Sequence, residues 1–404
     1  MLRLCASLTV LSFAIGWPLA LLVRGLSRRA KVVDSAGVPG QVKASRRNVP
    51  NTGGIVVFWA FALPVLAVMW MVAGMDASPD ADWRNDFTFL PADLHDHVAG
   101  LQSAMPLAWV VLCGALILHV VGLIDDRRPL GPFLKLAIMA IPAVAVPLLP
   151  ELKGLEGVIS PTRLLTLADG VAGGPWLSIM LTAIYILVVV NAFNFMDNMD
   201  GLSAGVGAIA ASCFLGTALM SHEPQWFVAG FLCLLIGGLL AFLCFNFPFR
   251  EWDASQGKGG ATIFLGDGGS LVVGFLLAFL SIRITYAGDV QPGDALPWHV
   301  VLTPLVILAV PLYDFTSVVV IRLSQGKSPF VGDLQHLSHR IEQKGLSRRQ
   351  AVLVIYLFAA AVGLSGVLLP GLRGVGPIVL LGQVVVLMSA LALFEWAHAR
   401  RRPA

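Results

Sequence analysis

Residues 104–135 read AMPLAWVVLCGALILHVVGLIDDRRPLGPFLK. From Ala104 to Ile124 the only ionisable groups are Cys113 and His119 in an otherwise apolar run. A helix of that length crosses the ~30 Å hydrocarbon core of a bilayer at about 1.5 Å per residue. An isolated strand would leave its backbone groups unsatisfied in lipid, so a helix is the expected spanning form. The run then stops at Asp125, Asp126, Arg127 and Arg128, and a second apolar run follows Pro132.

The same pattern repeats along the chain. Apolar blocks fall at roughly 4–23, 54–74, 104–124, 133–149, 175–194, 202–220, 226–245, 263–284, 298–321, 350–370 and 375–396. The chain has 404 residues, 57% hydrophobic and 13% charged, with a mean hydropathy of +0.81. A soluble domain carries about 25% charged residues. The expected fold is therefore all-α: a polytopic membrane helix bundle of about eleven transmembrane helices in a single domain over 1–404. The block at 4–23 reads as a retained first span, because its following flank is basic and no small-x-small cleavage site follows. The five cysteines all lie in apolar blocks without ligand spacing, so neither a disulfide framework nor a zinc site is expected. Ser347 followed by Gln350 predicts a capping box at the start of the tenth span.

Charge sets the orientation. With the N-terminus outside and the spans alternating, most of the 27 Lys and Arg fall on the inner side. The outer side keeps only Arg3, Arg84, Lys153, Arg163, Arg283 and Arg373. The positive-inside rule then makes the C-terminus, with Arg400, Arg401 and Arg402, cytoplasmic.

In this orientation the carboxylates gather at inner span ends. Asp125 and Asp126 close the third span, Asp197 and Asp200 the fifth in NAFNFMDNMDGL, and Asp267 opens the eighth in FLGDGGS. Asp314 lies deeper, inside the ninth. Ionisable groups at this depth are functional candidates by default. Asp125 and Asp126 are adjacent and cannot point the same way, whereas Asn191, Asn194, Asp197 and Asp200 recur at a spacing of three and share a helical face if the helix continues that far. The structural alternatives are a solvated helix end paired with Arg127 and Arg128, and inter-helix hydrogen bonding through the asparagines. The glycine-rich start of the eighth span suits a phosphate. Asp267 within it would repel an anion unless a cation intervenes, and Mg²⁺ takes both carboxylate and phosphate oxygens. The last inner loop adds Lys327, Asp333, His336, His339 and Arg340, groups suited to a diphosphate. His119 reads as a satisfied core histidine.

At these residues the chain resembles the polyprenyl-phosphate N-acetylhexosamine-1-phosphate transferases, glycosyl transferase family 4. The likeness runs in order over about residues 30–350, from Asp34 and PNTGGI at 50–55 through GLIDDRRPLGPFLK and NAFNFMDNMDGL to FLGDGGS and the histidine loop. It implies Asp125, Asp126, Asp197, Asp200, Asp267 and His336 as catalytic. It implies Lys43, Arg46, Arg47, Lys135, Asn191, Asn194, Asn246, Phe264, His339 and Arg340 as substrate-binding, and Asp267, Asp126 and Asn194 as metal ligands. Asp200 is placed near the uracil. The cofactor implied is Mg²⁺, with Mn²⁺ as a substitute.

The reaction implied is transfer of a HexNAc-1-phosphate, expected to be GlcNAc-1-phosphate, from a UDP-sugar to undecaprenyl phosphate. UMP is released on the cytoplasmic face of a bacterial inner membrane. A homodimer is compatible with the likeness, and no nucleic-acid partner is expected. The histidine loop looks more like the GlcNAc-1-phosphate branch than the phospho-MurNAc-pentapeptide branch. A transporter or flippase is the rival from another class, but it predicts carboxylates near the midplane, where only Asp314 lies. Three departures from the family pattern stand out. Asn198 replaces a common glycine, about eleven residues are inserted near Arg250–Ala261, and Ser338 replaces the middle histidine of HxHH.

Overall fold

The computed structural model describes residues 1–30, 49–75, 98–159, 162–164, 166, 168–221, 225–250, 259–284, 286, 297–330 and 333–399. Its helices are α1 (Leu2–Arg29), α2 (Gly53–Ala73), α3 (Val98–Arg127), α4 (Pro132–Leu148) and the short α5 (Ala168–Ala172). There follow α6 (Trp176–Met196), α7 (Leu202–Leu219), α8 (Trp226–Asn246), α9 (Asp267–Arg283) and α10 (Thr303–Ile307). The last are α11 (Ala309–Ser324), α12 (Leu337–Glu342), α13 (Arg348–Leu368) and α14 (Gly376–Ala399). No strand occurs among the described residues. Nine helices among them are long and apolar enough to cross a membrane, or ten counting one bent pair. The chain is thus a multi-pass membrane protein, helical throughout its described regular structure.

The axis of the bundle is α9. It is apolar all round, and Gly268 to Ser281 are all buried, as expected of a helix with no polar face. It packs against α2, α3, α6 and α7. Glycine permits the approach: a Cβ on Gly54 of α2 or Gly122 of α3 would run into the backbone at Gly268. At the periphery, α1 and α14 leave most of their apolar surface exposed, as suits helices facing lipid.

Among the spans that differ from the sequence expectation, three bear on one end of the bundle. The third extends beyond Ile124 to Arg127, so Asp125 and Asp126 sit in its last helical turn. The eighth begins only at Asp267, because the preceding residues form an extended loop that ends at Gly266 with φ 70°. The ninth is broken: the segments Trp298–Ile307 and Ala309–Ser324 meet at 73°. Pro311 has no N–H to give the carbonyl of Ile307, four residues back, and the helix breaks there. The predicted capping box does form, with Gln350 N donating to Ser347 Oγ at 3.4 Å and Ser347 N to Gln350 Oε1 at 2.9 Å.

Candidate active site

The ends of α3, α6, α8 and α11 and the starts of α4, α7, α9 and α13 lie at one end of the bundle. A backbone cradle organises it. Phe264 N donates to Pro50 O, Gly53 N to Phe264 O and Gly54 N to Leu265 O, each at 2.8 Å. This pairing lays the loop before α9 along the entry to α2. Gly266 then turns the chain through a left-handed conformation that other L-residues rarely adopt, and a Cβ there would stand 2.5 Å from Asp126 Oδ2. Asp126 fills that corner. Its Oδ1 accepts from Asn51 Nδ2 at 2.7 Å and from Asp267 N at 3.1 Å, and its Oδ2 from Gly268 N at 3.4 Å. A carboxylate at a helix N-terminus satisfies orphan N–H groups and complements the helix dipole.

In front of Asp126, four helices contribute one cluster. Lys135 of α4 reaches Asp125 Oδ2 of α3 at 2.9 Å and forms an ion pair with Asp267 of α9. It also lies 3.4 Å from Asn194 Oδ1 of α6. Asn194 Nδ2 donates to Asp267 Oδ1 at 2.7 Å and to Ser270 Oγ at 3.1 Å. The other Asp125 oxygen accepts from Leu130 N at 2.5 Å. The cluster is not sealed: the Lys135, Asp125 and Asp267 side chains are 16%, 14% and 25% exposed. Beneath it, His119 lies 2.7 Å from Gly268 O and stacks on Phe58, a satisfied core histidine.

The turn after α6 is tied to the cradle. Asp200 Oδ2 accepts from Ala261 N at 2.8 Å. Buried Asn246 accepts from Gly201 N at 2.8 Å and donates to Ile263 O at 2.9 Å. Asp197 caps the end of α6. The histidine loop docks beside this turn, with Ser338 Oγ bonded to Asn198 Oδ1.

The sequence pattern of glycosyl transferase family 4 matches residues 108–285. The decaprenyl-phosphate N-acetylglucosaminephosphotransferase of Mycobacterium leprae is 31% identical over 319 residues, covering 74% of this chain and 73% of the relative. This chain belongs to glycosyl transferase family 4. The probable undecaprenyl-phosphate N-acetylglucosaminyl 1-phosphate transferase of Bacillus subtilis is 25% identical over 361 residues, 89% of this chain and 84% of the relative. The undecaprenyl-phosphate alpha-N-acetylglucosaminyl 1-phosphate transferase of Escherichia coli K12 is 28% identical over 268 residues, 65% and 66% of the two chains.

Within this family 4 chain, Asp125, Lys135, Asn194 and Asp267 come together, with Asp126 directly behind. The other described candidates have protein partners of their own. Both oxygens of Asp126 accept from protein N–H groups, which ties it to the start of α9 and to Asn51. Asn246 is a buried clamp between two backbone segments, not a substrate-facing amide. Asn191 returns its amide to Leu187 O of its own helix at 2.8 Å. Asp200 is bound to the backbone of the loop before α9, and Phe264 is half-buried with its backbone in the cradle.

Arg340 is occupied by Glu395 Oε2 at 2.9 Å, Ser317 Oγ at 2.8 Å and the carbonyl of Gln335, so it is not a free phosphate clamp. His336 has a protein partner at each ring nitrogen, Asp314 at Nδ1 and Arg322 at Nε2. His339 is buried against Glu342, with Nδ1 3.2 Å from Oε2. Burial pushes its pKa down, and the hydrogen bond to Glu342 only partly opposes this. Lys43, Arg46 and Arg47 lie outside the described residues, as does most of the insertion.

Sequence reasoning missed Asn51, which carries Asp126, and Arg322, which is buried. Asn51 stood within the quoted PNTGGI, but nothing in the string showed it facing α3. Arg322 directly follows the ninth apolar block, and its burial leaves no mark in the local sequence.

Proposed function

We propose that this chain transfers GlcNAc-1-phosphate from UDP-GlcNAc to undecaprenyl phosphate at the cytoplasmic face of a bacterial inner membrane, releasing UMP. The observation that carries this reading is the meeting of Asp125, Lys135, Asn194 and Asp267, from four helices, in one half-open cluster. The names of the relatives support the reaction class. The Lys and Arg asymmetry supports eleven spans with an outside N-terminus and a cytoplasmic C-terminus, the bent pair and α9 counting as one span each. The cluster would then face the compartment that holds soluble nucleotides and meet the headgroups of the inner leaflet.

An oxygen of the lipid phosphate attacks the sugar-linked phosphorus in line with its bond to UMP. One P–O bond forms, the P–O bond to the UMP oxygen breaks, and UMP leaves with that electron pair. A phosphate monoester has a second pKa of about 6, so the nucleophile is mostly ionised near neutrality. Orientation matters more than proton removal. Asp125, held by Leu130 N and Lys135, fixes the wall against which the lipid phosphate docks. Lys135 sets a cation where two anionic substrates must meet, lowering their mutual repulsion.

The donor set fits a divalent cation. Carboxylate oxygens of Asp125 and Asp267 and the amide oxygen of Asn194 already converge on one cation, the Lys135 ammonium. No group of three or more His, Cys, Asp or Glu among the described residues is arranged to hold a metal. Mg²⁺ needs only one or two carboxylates, with substrate phosphate oxygens and water completing its shell. Asp267 and Asn194 would hold it, steadied by Asp126, and Mn²⁺ would substitute. When bound, the ion supplies charge neutralisation at the diphosphate.

The test is UMP release by the purified protein with undecaprenyl phosphate, Mg²⁺ and a panel of UDP-sugars. Turnover with UDP-GlcNAc that requires the lipid phosphate and stops on chelation is expected. A folded protein that releases no UMP from any of these sugars would overturn the proposal.

A further inference from the structure

Asp314 is a carboxylate in a membrane-spanning segment, 1% exposed, with no part in the transfer just described. An ionisable group in such a position needs partners, and both of its oxygens have them. Oδ1 accepts from Leu337 N at 2.6 Å, at the first residue of α12. Oδ2 lies 3.1 Å from His336 Nδ1. The opposite ring nitrogen, Nε2, lies 3.4 Å from Arg322 Nη2. A carboxylate only accepts and a guanidinium only donates, so these two neighbours dictate the tautomer. In the neutral ring this puts the proton on Nδ1 and turns the lone pair of Nε2 toward Arg322.

Arg322 is 2% exposed. It donates to Pro329 O at 2.7 Å and to Asp333 Oδ1 at 3.0 Å. Its guanidinium lies over the Phe195 ring, 5.3 Å from the centroid, and His336 meets the same ring edge-on at 5.7 Å. Phe195 follows Asn194, the amide that holds Asp267. A continuous set of contacts therefore runs from Asp314 through His336 and Arg322 to the end of α6.

We propose that Asp314 is a positioning residue for the transfer reaction. It fixes the place and tautomer of His336, and through them holds Arg322 against the Phe195–Asn194 end of α6. The catalytic half of this inference rests on the function proposed above; the tautomer half does not. D314N is the sharp variant. Its amide oxygen can still accept from Leu337 N, which keeps the loop docked, while its NH₂ turns a donor toward Nδ1. The ring proton would then move to Nε2, donor against donor with Arg322.

The experiment reads the His336 ring by ¹⁵N NMR of histidine-labelled protein, with the signal assigned by its loss in H336Q, alongside kcat, KM and thermal unfolding. The expected wild-type ring is protonated at Nδ1. D314N should shift the proton to Nε2 and lower kcat about 10- to 100-fold, with KM changed less than threefold and a monodisperse, folded protein. E395Q loosens the same loop through Arg340 without touching His336, and should leave the His336 signal as in the wild type. A wild-type ring protonated at Nε2 overturns the proposal, and this reading needs no variant to fold. So does a folded D314N that keeps the wild-type tautomer, or one that flips it and turns over at the wild-type rate. If the wild type releases no UMP, the functional reading fails while the tautomer result still stands on its own.

Discussion

Lys135 and Arg340 are both cations set among carboxylates, yet their surroundings differ. Around Lys135, two carboxylates and one amide share a single ammonium on the open side of the cluster. Around Arg340, Glu395, Ser317 and the Gln335 carbonyl take up the guanidinium. His336 and Arg322 beside it are likewise bound and buried. The first arrangement can exchange protein partners for phosphate and metal, because its groups are partly solvated and their pairing is local. The second would have to break several buried hydrogen bonds to do the same, each leaving an unsatisfied group. The carboxylate–lysine cluster is thus suited to ligands, and the histidine loop to bracing the cluster.

The largest effect should come from the open cluster. D267N removes the charge shared by Lys135 and Asn194 and should lower kcat by on the order of 10³-fold or more. The protein should keep its elution profile and unfolding temperature. A D267N enzyme with near-normal Mg²⁺-dependent UMP release would dissolve the distinction between the two regions. K135Q should be next, lowering kcat about 100-fold. Because the ammonium sits among the oxygens that suit a divalent cation, K135Q should also lower the Mg²⁺ concentration for half-maximal rate. An unchanged Mg²⁺ requirement would place the ion away from Lys135.

The brace should respond differently. E395Q weakens a charged hydrogen bond between α14 and Arg340 and should destabilise the protein by roughly 1–3 kcal/mol. Turnover should fall only a few-fold, checked by thermal unfolding and kinetics on one preparation. A collapse of kcat at unchanged stability would instead put Arg340 in contact with substrate. A finer probe is the bond between Asn198 and Ser338, which joins the brace to the turn after α6. These are two of the positions where the chain departs from the family pattern, and here they are one another's partners. A cycle of N198A, S338A and the double variant should give a coupling of about 0.5–1.5 kcal/mol in stability. Strict additivity would mean that the contact contributes nothing.

The sequence made some of this legible and hid the rest for physical reasons. Spans announce themselves by composition, because lipid demands some 20 apolar residues wherever they cross. The Asp125–Asp126 pair, Asn194 and Asp267 were conspicuous because polar groups are costly at the ends of such runs. Their division of labour was not legible. Whether Asp126 faces solvent or the start of α9 depends on Gly266 and Asn51, which belong to other segments. The break at Leu308 has a local cause in Pro311, but proline within a span does not by itself fix a 73° bend. The saturation of His336 and Arg340 depends on Asp314 and Glu395, distant in sequence. A histidine next to an arginine in a basic loop looks the same on paper whether its nitrogens are free or filled.

The smallest expected effect is a pH dependence within the brace. Burial holds the His339 pKa below its ordinary value of 6.5, with Glu342 opposing the shift but not reversing it. Well above pH 6.5 the ring is neutral in both the folded and unfolded chains and pH does not act on it. As pH falls through 6.5 the unfolded chain takes up a proton that the folded chain still refuses. The unfolded state then binds more protons and stability declines. Glu342, whose pKa is lowered by its bonds to Arg348 and His339 against the effect of burial, stays ionised throughout this range and does not confuse the reading. Unfolding midpoints of wild type and H339Q, followed from pH 7.5 to 5.5, should draw closer as the pH drops, because only the wild type loses this contribution. A gap that widens on acidification would mean that the folded loop prefers the charged imidazole, and His339 would then belong with the ligand-ready cluster rather than with the brace.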